Sequence, residues 1–292
     1  RLARNLATFP FTSRASLSQK QEIETLLKDR LVHLPGGPEL QYICLKNIEA
    51  LDKQMLLERQ LISRELASAE GARGVAVATD ESVSVMVNEE DHLRIQVMRS
   101  GLDLDQAWQI TNEVDDRIEQ RVAYAFHEEF GYLTACPTNV GTGMRASVML
   151  HLPALEYTRQ SDQVFRALQK INLEVRGLYG EGSRASGHFY QISNQVTLGK
   201  SEETILREIQ AVIPAVIRYE KEAREAWRQD RSVGLEDRMK RALETLHGAT
   251  MMTSEETMEL LSLVRLGLAL GQLRGLSVPL LNELFIQTQP AH

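Results

Sequence analysis

The sequence predicts an α+β fold: an antiparallel sheet flanked by helices, followed by a helical C-terminal region. Three observations predict it. Apolar residues alternate at Val83, Val85 and Val87 and again at Leu93, Ile95 and Val97 across a short polar turn, the period-2 pattern of two paired strands. Alternation returns at Ala146, Val148, Leu150 and Leu152, and GHFYQISNQVTLG near residue 190 reads as a hairpin. Helical spacing fills the chain between these strands and after them.

Taken in order, residues 16–31 predict a helix with Ser16 or Ser18 as its N-cap. HLPGGPEL, 33–40, is a turn-rich linker, and 47–67 returns to helical spacing. After the strand pair, DLDQAWQITNEVDDRIEQRVAYAF predicts a long helix starting near Asp103 or Asp105. The strand of RASVMLHL leads into helical spacing over 153–170. Ser201 caps a long helix ending near Trp227. From Gly234 the chain is helical, with a capping box at Thr253–Glu256 and a last helix opened by Ser277-Val-Pro279. Two regions follow: an α+β domain over 1–228 and a helical C-terminal region over 229–292. The apolar tail MELLSLVRLGLALGQL either packs on the first region or forms a homodimer contact.

Composition narrows the function classes. The 292 residues are 43% hydrophobic and 25% charged, with a formal net charge of -7, which disfavours nucleic acid and anionic membrane as partners. The longest apolar run, near 260–273, is interrupted by Arg265, so neither a membrane span nor a secretory signal is visible. Two cysteines, Cys44 and Cys136, suit a reduced, cytoplasmic setting without a disulfide framework, with Cys44 read as core. The chain opens at Arg1 without a methionine, and a longer natural front is expected.

Three polar stretches do not fit a quiet core: NEEDHLR (Asn88–Arg94), CPTNVGTGMR (Cys136–Arg145) and RGLYGEGS (Arg176–Ser183), with RLARN at the start as a weaker fourth. CPTNVGTGMR lacks the spacing of a P-loop. If the three stretches converge, they offer Arg94, Arg145 and Arg176 beside Glu90, Glu181 and Cys136. Arginine forks match phosphate oxygens and neutralise charge during phosphoryl transfer. Carboxylates repel phosphate and need a cationic acceptor, and a guanidinium fits. Its pKa above 12 makes it a poor nucleophile until a carboxylate orients it and takes a proton. The bland alternative is that each stretch is a solvated turn, that the glycines serve turn geometry, that Cys136 is a small buried hydrophobe, and that His92 is an exposed turn residue.

Together the stretches resemble the phosphagen (guanidino) kinases, whose N-E-E-D-H-x-R, C-P-[ST]-N-x-G-T-x-x-R and R-G-x-x-G-E occur in this order. LISRELA, ISNQVTLGKSEE and LNELFIQTQP extend the likeness over nearly the whole chain to bacterial protein arginine kinases of the McsB type. The resemblance implies the fold shared with glutamine synthetase and transfer of the ATP γ-phosphoryl to a guanidinium nitrogen, with Mg²⁺. It puts catalytic carboxylates at Glu90 and Glu181, with Cys136 beside the guanidinium as an electrostatic helper. It puts Arg94, Arg145 and Arg176 on phosphate, and Arg1, as the last arginine of an S-[ST]-R-x-R motif, near the nucleotide. Ala146, Ser147, Val148 and Met149, and Gly177, Leu178, Tyr179, Gly180 and Glu181, fall on nucleotide-contacting segments. Gly141 and Gly143 would let the backbone pass close to the ligand. It contributes no protein metal ligand.

The resemblance further implies protein substrates carrying arginine, among them a heat-shock repressor and damaged proteins bound for Clp protease. It implies an adaptor-type activator and a homodimer. Four departures bear on it. The chain opens inside an S-[ST]-R-x-R motif, and Glu65 in LISRE stands where the small-substrate enzymes place a nucleotide-contacting histidine. Their helical N-terminal domain is absent, which favours a site open to an arginine on a protein. The bacterial family continues past TQP into a phosphoarginine-binding R-D-x-x-R-A segment, which the sequence to His292 does not contain. A free-arginine phosphagen kinase and a catalytically silent binding module remain the rival readings.

Overall fold

The computed structural model describes residues 1–178, 186–229 and 234–292, and the chain divides into two compact units. The first comprises Arg1–Ala146 and Asn194–Gln210, the second Ser147–Ser193 and Ala211–His292.

In chain order the first unit holds β1 (Leu2–Arg4), α1 (Leu17–Val32), β2 (Leu40–Cys44), α2 (Ala50–Glu58), α3 (Arg64–Ser68), β3 (Gly74–Ala78), β4 (Val83–Val87), β5 (Leu93–Val97), α4 (Leu104–Glu119) and a small hairpin of β6 (Phe126–His127) and β7 (Gly131–Tyr132). Ser16, not Ser18, caps α1, in a reciprocal box with Gln19. Five strands form one antiparallel sheet in the order β1-β5-β4-β3-β2. Strand period sorts its side chains. Leu2, Arg4, Leu93, Ile95, Val83, Val85 and Val87 share one face by register, the face of the strands on which α4 packs against β5. Val75, Val77 and Met86 point the other way, into a cluster with Leu45, Leu56, Leu61, Ile62 and Leu66 from the α2–α3 region.

Several expectations need correction here. β1, β2 and β3 were outside the predicted strands. GVAVA is apolar throughout because β3 is central and covered on both faces, so it shows no alternation. The helix predicted through Phe126 stops at Glu119, and YAF enters the hairpin instead. The helical stretch 47–67 is interrupted at Gln60, whose φ of 59° lies in the left-handed region. Cys44 is half-buried on an edge strand rather than core.

The second unit contains β8 (Ser147–His151), α5 (Pro153–Tyr157), α6 (Ser161–Gln169), β9 (Leu173–Gly177), β10 (Phe189–Asn194, its last residue in the first unit), most of α7 (Glu202–Gln229), α8 (Leu235–Gly248), α9 (Ser254–Ala269) and α10 (Val278–Gln287). Its sheet runs β8-β10-β9. GHFYQISNQVTLG supplies the single strand β10, paired with β8, and not a hairpin. The capping box at Thr253–Glu256 and the cap at Ser277 are both present.

A polar knot sits inside this unit. The Ser262 hydroxyl of α9 lies 2.8 Å from His151 Nε2 and 2.7 Å from His188 Nδ1, all three residues buried. Burial, then the Arg265 and Arg224 charges, holds the His151 pKa well below its ordinary value. Burial also lowers that of His188, with the Glu259 and Glu156 carboxylates opposing. A histidine with a lowered folded pKa gives stability that is complete above its unfolded pKa of about 6.5 and is lost as pH falls below it. The unit should therefore lose urea resistance between pH 7 and 5. Trp227, buried against Tyr157, reports this in a Trp108→Phe background. A pH-independent midpoint would contradict the assignment.

Candidate active site

The turn joining β4 to β5 builds the acidic part of the site. Asn88 adopts φ 57° and its side-chain amide donates to the carbonyls of Lys20 and Ala72, each at 2.8 Å. The residues that follow are mostly buried, which overturns the reading of NEEDHLR as a solvated turn. Glu89 accepts from Ser63 Oγ at 2.7 Å, from Arg94 Nη1 at 2.5 Å and from the Glu90 N–H at 2.9 Å. Those donors hold its pKa down against burial. Asp91 accepts from Asn5 Nδ2 at 2.5 Å and from the Ala135 N–H at 2.6 Å. His92 is wholly buried rather than exposed: its Nδ1 accepts from the Leu6 N–H and its Nε2 donates to the Pro10 carbonyl. That pairing fixes the tautomer, and burial lowers the His92 pKa.

Glu90 alone of the three acids turns outward. Desolvation, then the charges of Asp91 and Glu89, raises its pKa, with Arg94 opposing and Glu65 adding a little. The Asp91–Ala135 bond places the Cys136 backbone beside this turn. Thr134 Oγ1 donates to the Cys136 carbonyl at 2.7 Å, and Cys136 Sγ lies 3.0 Å from Thr138 Oγ1. Cys136 is half-buried, not core. A single 3-10 turn, Pro137–Asn139, carries the chain onward to the glycines.

Register gathers the arginines. Ala3 pairs with Arg94 across β1 and β5, and Leu2 bridges Met144 on the other side of β1. The Arg145 N–H donates to the Arg1 carbonyl at 2.9 Å, and the Arg1 nitrogen donates to the Arg145 carbonyl at 3.1 Å. Paired residues of neighbouring strands share a face, as do residues two apart. Arg1, Arg94 and Arg145 therefore project from one sheet face, opposite to Arg4.

The two glycines of this segment answer to close backbone packing. Gly141 and Gly143 have φ of 110° and 65°, and an added Cβ would come within 2.8 Å of the Thr197 carbonyl and 2.6 Å of the Ala3 carbonyl respectively. They let the CPTNVGTGMR segment lie against β1 and residues 197–198, which sets the position of Arg145.

Other expected residues are elsewhere. The Ala146 N–H donates to Asn194 Oδ1 at 2.8 Å in the first unit. Ser147, Val148 and Met149 lie on β8 in the second unit, where Gln191 Nε2 donates to Ser147 Oγ at 2.8 Å. Arg176 and Gly177 end β9, with Leu178 after them, and Arg176 pairs with Glu174 at 2.8 Å. Tyr179, Gly180 and Glu181 lie outside the described residues. Among the described residues, no group of three or more His, Cys, Asp or Glu is arranged to hold a metal ion. No described helix is long and apolar enough to cross a membrane. Sequence reasoning missed Glu89, Asp91 and Asn5, which orient the turn, and the Arg4–Asp115 pair beneath it. Three consecutive acids in an otherwise apolar strand pair were the available signal.

Comparison with known proteins bears on this arrangement. The family description "ATP:guanido phosphotransferase, C-terminal catalytic domain" matches residues 22–223, and "Protein-arginine kinase McsB C-terminal domain" matches 232–292. The chain is 48% identical to a protein-arginine kinase of Symbiobacterium thermophilum over 297 residues, covering 100% of the chain and 83% of that protein. It is 46% identical to the one from Bacillus subtilis, covering 99% and 80%. Among solved structures, the duplicated taurocyamine kinase from Schistosoma mansoni with bound transition-state-analogue components superposes with a TM-score of 0.69 at 28% identity, covering 75% of this chain and 32% of that one. A lombricine kinase superposes with a TM-score of 0.66 at 24% identity, covering 75% and 64%, which speaks for the fold alone.

Proposed function

The chain belongs to the ATP:guanido phosphotransferases, among them to the protein-arginine kinases, and from that premise we propose how its residues transfer the γ-phosphoryl of ATP to arginine side chains of proteins. The observation that carries the proposal is the register that sets Arg1, Arg94 and Arg145 on one sheet face beside the outward Glu90. Three permanently charged forks on one face fit a polyphosphate. Mg²⁺ bound with the nucleotide would neutralise charge developing on the phosphates beside these arginines. Arg176 is assigned to the same phosphates, and segments 146–149 and 177–181 to the rest of the nucleotide.

Glu90 orients the substrate guanidinium and accepts a proton from the attacking nitrogen. The nitrogen's electron pair forms the N–P bond, the bond from phosphorus to the β–γ bridging oxygen breaks, and ADP leaves. Glu181 is assigned as the second carboxylate. Buried Glu89 repels the polyphosphate less than a free acid would, because Arg94 pairs with it. Cys136 assists electrostatically: Cys136→Ala should slow transfer about tenfold, the worth of one hydrogen bond to a charged group, without abolishing it. Single-turnover rates check this, and either no change or complete loss would contradict the role.

Catalysis is assigned to 1–228 and the helical remainder, 229–292, to a homodimer contact; the separate matches over 22–223 and 232–292 support that assignment. The exposed Val278, Leu280 and Ile286 of α10 support that contact. A cytoplasmic setting, an adaptor-type activator, and substrates that include a heat-shock repressor and damaged proteins for Clp protease rest on the resemblance of the motifs. The test incubates the protein with Mg-ATP and either casein or free arginine, and reads phosphorus NMR and mass spectra under non-acidic conditions. Phosphoarginine on casein alone is the expected result. Phosphorylated free arginine as the main product, or ATP binding without transfer, would overturn it.

A further inference from the structure

We infer that the β6–β7 hairpin is a docking lip for the protein substrate, engaging an extended, basic, arginine-bearing segment next to the reacting arginine. The inference rests on the protein-substrate reading above and names a surface that reading leaves unassigned. Phe126 is 57% exposed and Phe130 44%, an unusual outlay of aromatic surface for a hairpin this small. Glu128 and Glu129, also exposed, occupy the tip between them. Between Arg121 and Arg145 the chain has no lysine or arginine, so nothing nearby in sequence neutralises these carboxylates.

The lip is braced from within. Phe126 packs edge-on to Tyr132 with centroids 5.3 Å apart, and His127 stacks on Phe130 at 4.8 Å. The Arg4 guanidinium lies 3.5 Å from the Tyr132 ring centroid, so one ring of the hairpin already holds an arginine from below. The outward rings can hold one from outside by the same attraction.

The lip is also tied to the chemistry. Tyr132 exchanges two backbone hydrogen bonds with Gly141, at 2.8 and 3.3 Å. Leu133 gives its carbonyl to Asn5, which also donates to Asp91, and Ala135 gives its N–H to Asp91. A segment lying on the hairpin is therefore presented beside Glu90 and Cys136. Exposed aromatic faces and exposed carboxylates select a chain with basic and apolar side chains and no fixed structure. Unstructured peptides with arginine beside basic and apolar residues supply that chemistry, loosely folded casein offers it only in its local arginine-bearing stretches, and a free amino acid does not reach the lip.

The test uses the full chain, with Phe126→Ala/Phe130→Ala and, as a surface pair that leaves packing untouched, Glu128→Gln/Glu129→Gln. Two readouts are taken: initial rates of phosphoarginine formation on casein, and ATP-independent anisotropy of a labelled unstructured arginine peptide with basic or acidic flanks. The phenylalanine pair should raise the KM for casein and weaken the basic peptide roughly tenfold, with kcat and the KM for ATP retained. The glutamine pair should erase the preference for basic over acidic flanks, an effect that vanishes in high salt. Unchanged casein KM and peptide affinity in both pairs would overturn the lip, while transfer to casein by the parent chain would leave the kinase reading intact. If the parent chain fails to modify casein, that reading falls, and the anisotropy arm still decides the lip. A change confined to light-scattering mass would mean that the hairpin meets a second copy instead, and would overturn the proposal.

Discussion

Glu90→Gln is expected to lower the rate of phosphoryl transfer about a thousandfold, within the range that positioned acid–base groups contribute, while leaving the KM for ATP nearly unchanged. The argument is geometric before it is electrostatic. Asp91 is engaged by Asn5 and the Ala135 N–H, and Glu89 by Ser63, Arg94 and the Glu90 N–H. Neither has room to serve a substrate, so Glu90 is the acid left facing outward. Partial desolvation, then its two acidic neighbours, raises its pKa, which has a consequence for pH. A proton acceptor must be ionised, so activity falls as pH drops through that raised pKa, and the acid limb lies above the ordinary carboxylate value of about 4.3. Glutamine keeps the shape and removes the limb together with most of the rate. A pH–rate profile of kcat/KM for both forms checks this. Residual activity within tenfold of the parent, or an unmoved acid limb, would assign proton acceptance elsewhere.

What could be read in advance, and what could not, follows from the range of the interactions. α1 and α9 were legible because their signals are local: Ser16 with Gln19 and Thr253 with Glu256 close boxes three residues apart. β4 and β5 were legible from alternation, with Ser84, Arg94 and Gln96 as the polar residues between the apolar positions. β1 was not, because three residues gain strand geometry only from partners more than 80 positions away. β3 was hidden by burial on both faces. The same distinction governs the site. Glu90, Arg94, Cys136 and Arg145 stood out through motif order, whereas the convergence of Arg1 with Arg145 depends on a pairing across 144 residues. Gly141 and Gly143 stood out by composition, but the close approach of their backbone to Thr197 and Ala3 depends on long-range partners that the local sequence does not name. The Arg4–Asp115 pair was invisible, since nothing in RLARN or NEVDDR says which charge is buried.

That pair carries the second large effect. Asp115→Ala is expected to destabilise the first unit by about 3–5 kcal/mol, the cost of leaving a buried charge without its partner. Arg4 Nε and Nη2 donate to Asp115 Oδ2 at 3.0 and 2.6 Å, and the two side chains are 2% and 6% exposed. Burial raises the Asp115 pKa, and the Arg4 charge pulls it only part of the way back. The pair is therefore costly to break without being strongly favourable to form. Arg4 does more than meet α4: its Nη1 donates to the carbonyls of Thr142 at 2.8 Å and Ala3 at 3.0 Å. One guanidinium thus fastens β1, which follows Arg1, to the segment that ends in Arg145. Stability and nucleotide affinity should fall together in Asp115→Ala, seen as a lower urea midpoint of Trp108 emission with unchanged slope and a higher KM for ATP. Arg4→Met/Asp115→Leu separates the two. An apolar pair of similar volume should restore most of the midpoint. It cannot restore the bond to the Thr142 carbonyl, so the KM for ATP should stay high. If the double variant recovers both, the pair acts only as packing, and the alignment of Arg1 with Arg145 rests on the strand register alone.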